Sequence, residues 1–197
     1  MRYDTEHKAH TRQRVLAEAA AAIRASGPDR IGIAAIMAKA GLTHGGFYAH
    51  FKSKDDLVAQ AVTQMFDESF ERMMVRLDTL EPAAALSKIV DRYLDPRHRD
   101  APDLGCPMPS LSGELARMPA EARKRFARGA ERVTDSIASR LRALGRPHPS
   151  ALASSVVAEL VGALSLSRAV ADPEASGRIL RDSRAAIRSR LGLEPPR

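Results

Sequence analysis

The chain is poor in the residues that staple, stack or redirect a fold. It has a single cysteine, Cys106, among 197 residues, so no disulfide can form within it. It has no tryptophan, and aromatic residues make up only 4%. Ala, Leu and Arg dominate instead, which favours helices over sheets. No apolar run opens the sequence in the manner of a secretory signal, and none approaches the ~20 residues of a membrane span. The expected location is therefore cytoplasmic. No phosphate-cradling glycine loop, nucleophile elbow or zinc-ligand spacing occurs. His44 and His50 would fall on different faces of a helix, and His7 and His10 have no partner cysteine or carboxylate cluster nearby. No catalytic residue, metal ligand or cofactor is assigned, and the chain is not read as an enzyme; a small helical enzyme or carrier, its residues scattered in sequence, is the distant alternative.

What the chain has in excess is positive charge. The formal net charge is +7. Residues 1–54 hold nine Lys/Arg against four Asp/Glu, with four of the six histidines. A basic surface there would release counterions from a polyanion.

The densest information lies between Ile31 and Leu57, IGIAAIMAKAGLTHGGFYAHFKSKDDL. Ile33, Ile36, Met37 and Ala40 fall on one helical face. Gly41 follows where a helix end wants positive φ. Thr43 offers a hydroxyl to cap the next helix. That helix is short and begins His44-Gly45-Gly46, although each glycine costs on the order of 1 kcal/mol relative to Ala. Such a helix suits a backbone that must approach another surface closely. A helix-turn-helix places the start of its second helix near base edges in the DNA major groove.

This stretch resembles the signature of TetR/AcrR-family transcriptional repressors. Ala40-Gly41, Thr43, Gly46, Phe47-Tyr48, His50-Phe51 and Ser53-Lys54-Asp55 carry the match, and Gly32 departs from it, standing where relatives often have a capping Thr or Ser. The likeness is specific over about residues 11–57. It implies that Thr43, His44, Gly45 and Gly46 sit at base edges or sugar-phosphate, that Tyr48, His50 and Lys54 meet phosphates, and that Phe47 and Phe51 are core. It further implies a homodimer on a palindromic operator, closed by the last two helices, and a small-molecule effector that releases the DNA. The domains expected are a helix-turn-helix head over residues 1–54 and an effector-binding and dimerisation domain over 55–197.

The rest of the chain reads as all-α, about nine helices. The first is expected from about His7 to Ala25, closed by Gly27-Pro28. A long one runs from about Lys54 to Leu80, with Val62, Phe66, Phe70, Met73 and Leu77 inward, stopped at Glu81-Pro82. Others follow at about 83–94 and 110–117, with the proline-rich 95–109 as a loop. Pro119 opens a long helix to about Leu144. The segment 150–171 carries only Glu159 and Arg168 as ionised residues. A helix so apolar is buried on several sides, as core, as dimer interface, or both. Leu160 and Leu164 are the side chains expected to face a partner copy. The last helix covers about 174–191, and the tail after Leu193 is expected to fray.

Cys106 admits two readings. A cysteine at a helix start beside Arg97, His98 and Arg99 can have a lowered pKa and act as an electrophile or oxidant sensor. A free cysteine is otherwise a small buried hydrophobe.

Overall fold

A computed structural model describes residues 2–193, with side-chain environments from residue 6 onward. The tail beyond Leu193 lies outside the described residues. Among them are nine α-helices, two short 3-10 helices and no strand. Helix α1 (Arg2–Ser26) starts earlier than its apolar pattern suggests. It buries Val15, Leu16, Ala19, Ala20 and Ile23. Helix α2 is Ile33–Lys39, a 3-10 helix follows at His44–Ala49, and α3 is Lys54–Met74. The body continues with α4 (Pro82–Tyr93), α5 (Pro96–Asp100), α6 (Pro107–Leu111), a 3-10 turn at Leu115–Arg117, α7 (Ala120–Ala143), α8 (Pro149–Ala169) and α9 (Pro173–Leu191).

Helix α3 stops six residues short of the expected Leu80. Arg76 has a φ of 59°, which no helix continues through. The Arg92 guanidinium, from α4, donates to the Met73 and Val75 carbonyls at 2.7 and 3.1 Å, satisfying acceptors that a helix end leaves open. The loop expected over 95–109 contains α5 and α6. In each, a proline occupies the first helical turn, where its missing N–H costs nothing.

One continuous core runs through the molecule, and α3 is its axis. It packs against α1 on one side and α7 on another. Leu57, Ala61 and Met65 are buried alongside Val62 and Phe66, so two adjacent stripes are covered where one was expected. The closest α3–α7 approach is at Gly129, where an added Cβ would lie 2.3 Å from the Phe66 ring. That ring is held edge-on by Phe126, centroids 5.4 Å apart. Gly129→Ala is therefore expected to destabilise the fold by about 1–3 kcal/mol through overpacking. A urea midpoint equal to the parent's would show that the helices separate freely there.

Helix α8 divides its two faces sharply. Leu160 and Leu164 are 1% and 0% exposed within the single chain, so they belong to the subunit's own core and not to a partner-facing surface. The outward face carries Ala151, Ser155, Ala158, Leu166 and Ala169, with Gly162 only partly covered between them. By length and composition the 21 residues of α8 reach what a membrane helix needs, against the expectation that no apolar run comes near that length. Here α8 is packed between α7 and α9.

Candidate nucleic-acid interface and effector cavity

The turn of the helix-turn-helix is fixed by Gly41, whose φ is 70°. The Arg14 guanidinium donates to the Ala40 carbonyl at 2.5 Å, and a Cβ on Gly41 would lie 2.9 Å from that same group. Any side chain here would be strained twice, by conformation and by contact.

Thr43 precedes the 3-10 helix, but its hydroxyl caps nothing. The expected cap is replaced by the backbone, because the Gly46 N–H donates to the Thr43 carbonyl at 3.1 Å. That i→i+3 bond is the tighter geometry of a 3-10 turn, and it uses the amide a capping hydroxyl would need. Phe47 and Phe51 are 0% and 2% exposed and stack with centroids 5.6 Å apart. They anchor the short helix, as the resemblance implied. Tyr48 projects the other way, 70% exposed, its ring edge-on to Phe47. Thr43, His44 and Gly45 are exposed, and Gly46 is half-buried. A Cβ on Gly45 would meet nothing within 4 Å, so nothing in the chain requires glycine there.

His50 is half-buried, and its Nδ1 is enclosed without a partner. Burial, then the nearby Lys8 and Arg12, hold its pKa below the usual value, so the ring is neutral at physiological pH. The next helix opens on a reciprocal cap. The Ser53 hydroxyl accepts from the Asp56 N–H at 3.1 Å, and the Asp56 carboxylate accepts from the Lys52 N–H at 3.0 Å. Lys54 reaches only the Asp29 carbonyl, at 3.3 Å. Among the described residues, Lys52 and Lys54 pair with no carboxylate. The exposed side of this head thus presents an aromatic hydroxyl, uncommitted cations and a bare glycine backbone.

A second site lies in the body. A cavity of about 240 Å³ opens between α3, α4 and the 97–106 segment. Met73, Ala101 and Leu104 give it apolar walls; Arg72, Arg92 and Arg97 stand around it, with His98 and Cys106 at its base. The Cys106 thiol does not have the lowered pKa that its helix-start position suggested. It is 3% exposed, and burial pushes its pKa up. Its histidine neighbour supplies no charge. His98 Nδ1 lies 2.8 Å from the Tyr93 carbonyl, and Nε2 accepts the Cys106 N–H at 3.0 Å. Those two bonds require the neutral tautomer, and burial lowers the ring's pKa in the same direction. The Tyr93 hydroxyl near the thiol pulls the thiol's pKa down, but it is buried without a hydrogen-bond partner.

The segment forming the cavity's edge is tied directly to the head. Arg24, on α1, is 4% exposed. Its guanidinium donates to the Asp103 carbonyl at 3.1 Å, to the Met65 carbonyl at 3.0 Å and to the Glu68 carboxylate at 2.8 Å. Arg72 donates to the Leu104 carbonyl. Arg168 donates to the His98 and Arg99 carbonyls at 2.7 and 3.1 Å. Sequence reasoning placed Arg97 and His98 beside Cys106 but missed Arg24, Arg72 and Arg92. These come from three other helices, and periodicity shows only that each is a cation on a helix.

A helix-turn-helix head built into a helical body defines a DNA-binding regulator. Residues 15–61 match the family model for bacterial regulatory proteins, tetR family. Among solved structures, a TetR transcriptional regulator from Chloroflexus aurantiacus is 26% identical with a TM-score of 0.81, covering 95% of this chain and 96% of that one. A TetR-family regulator from Agrobacterium tumefaciens is 23% identical with a TM-score of 0.77, covering 91% and 98%. The reduced form of E. coli NemR is 18% identical with a TM-score of 0.80, covering 91% and 96%. No curated protein matches. The family-model match over residues 15–61 and the likeness of fold along the whole chain support a TetR-family transcriptional regulator.

Proposed function

We propose that the protein is a homodimeric repressor whose head, residues 1–54, binds half of a palindromic operator. Residues 55–197 would form the dimer and hold a small-molecule effector whose binding releases the DNA. Thr43, His44, Gly45 and Gly46 then lie at base edges or sugar-phosphate, and Tyr48, His50 and Lys54 at phosphates. The observation that carries this reading is the 70% exposure of Tyr48 on a short helix whose other aromatic is fully buried. An exposed tyrosine beside uncommitted Lys52 and Lys54 is a surface prepared for a polyanion. Gly45 supports it, since a residue the fold leaves free is explained by close approach of something else.

Phosphate contacts set position without reading sequence. Lys54→Ala is therefore expected to weaken binding to all DNA sequences alike. It should also reduce the slope of log affinity against log salt by about one unit. An unchanged slope would remove Lys54 from the contact set.

A thiol switch at Cys106 is the second reading, and its support is that Cys106 forms part of the cavity wall. The buried, neutral thiol of the resting state favours a reversible effector instead. Rapid alkylation of native protein, with loss of operator binding that Cys106→Ser prevents, would reverse that preference.

A further inference from the structure

The cavity's charge is one-sided. Arg72, Arg92 and Arg97 all line it, and among the described residues none of them pairs with a carboxylate. Arg72 and Arg92 are held in place by main-chain carbonyls, of Leu104 and of Met73 and Val75, which orient a guanidinium without neutralising it. Among the described residues, the Arg97 side chain has no hydrogen-bond or ion-pair partner. The nearby carboxylates are committed elsewhere: Glu68 to Arg24, Asp100 to Arg99, and Asp95 to the backbone N–H of Arg97. Among the described residues, no acidic side chain lines the space. A guanidinium fork matches a carboxylate in two parallel hydrogen bonds. The remaining walls, Met73, Ala101 and Leu104, are apolar. At 240 Å³ the cavity is smaller than most drug-sized sites. At about 30 Å³ per water-sized group, it holds about eight non-hydrogen atoms.

From this we infer that the cavity binds a small organic monoanion, a carboxylate carried on a compact apolar body, with the carboxylate at Arg97 and the apolar part against Met73 and Leu104. This rests on the reading of the cavity as the effector site, and it adds the ligand's chemical class. Three probes of one shape test it: benzoate, benzamide and benzylamine, titrated calorimetrically into the full-length protein at constant ionic strength, with operator release followed in parallel.

Benzoate should bind at least about tenfold more tightly than the neutral amide or the cationic amine, a difference set by charge-assisted hydrogen bonding. Arg97→Gln should erase that preference. It is the variant of choice because Arg97 is exposed and its side chain supports nothing else in the fold. Arg123→Gln, an exposed arginine on α7, should leave the preference intact and so exclude general attraction to a chain of net charge +7. Equal binding of acid and amide, tighter binding of the amine, an Arg97→Gln variant that still prefers benzoate, or no binding of any probe would each overturn the anion assignment. Benzoate binding that depends on Arg97 but leaves the operator occupied would uphold the anion site and contradict the effector reading instead.

Discussion

Gly162→Arg should convert the protein to a monomer and lower its operator affinity by at least about a hundredfold, because two linked half-site contacts become one. The substitution acts from the outer face of α8. Ala151, Ser155, Ala158, Gly162, Leu166 and Ala169 follow one another at helical spacing there, and Leu166 is 59% exposed in the single chain. Small residues at this spacing let two helices approach closely, and a closed two-fold contact would bury the same stripe from both copies. A Cβ at Gly162 meets nothing within 4 Å, so an arginine fits the isolated subunit and its fold should survive. Its charge would be stranded only in the dimer. Leu160→Arg and Leu164→Arg differ, because both side chains sit in the subunit's own core and their replacement should unfold it. Sedimentation separates the cases. A Gly162→Arg protein that remains dimeric and operator-competent would place the interface on another face.

Arg24→Met should destabilise the fold by about 2–4 kcal/mol and loosen the cavity's edge at a distance. Removing one member of a buried ion pair leaves the other uncompensated, typically at about 3–5 kcal/mol. The lower figure reflects Glu68, whose side chain is 25% exposed and keeps its bond from Gln64. The distant effect follows from the Asp103 carbonyl, which loses its α1 partner. Hydrogen exchange should then speed up at Leu104, Gly105 and Cys106 as well as at the end of α1. Faster exchange in α1 alone would mean that Arg24 braces the head without linking it to the cavity. The link matters because effector and operator can influence each other only through a coupling free energy between their sites. Arg24 joins α1 of the head to the segment at the cavity's edge through one side chain.

Much of this was legible in the sequence, for reasons that can be stated residue by residue. The Ile33, Ile36, Met37 and Ala40 spacing, followed by Gly41 and an aromatic pair, specifies a helix, a turn and an anchored second helix through local geometry alone. Phe47 inward and Tyr48 outward follow from adjacent positions on that helix. The capping role of Thr43 was misjudged because the choice between an α and a 3-10 turn depends on one backbone bond, from Gly46 to Thr43. The end of α3 was misplaced because its terminating partner, Arg92, lies 19 residues further along the chain. The facing of Leu160 and Leu164 was reversed because a helix apolar on several sides carries no mark of which side meets its own subunit. Arg72 and Arg92 were invisible as partners of the 97–106 segment because their two helices meet it only in the fold. The two readings of Cys106 stay open in the sequence, because it shows the charges around the thiol but not its burial, nor the two bonds that keep His98 neutral.

The central claim, a two-headed grip on a symmetric operator, is tested most directly by anisotropy titration of the protein into DNA taken from immediately upstream of its own gene. One dimer should bind each palindrome found there, far more tightly than scrambled DNA of the same length and composition, with affinity falling steeply as salt rises. Equal affinity for the scrambled DNA, or saturation at one subunit per palindrome, would contradict it.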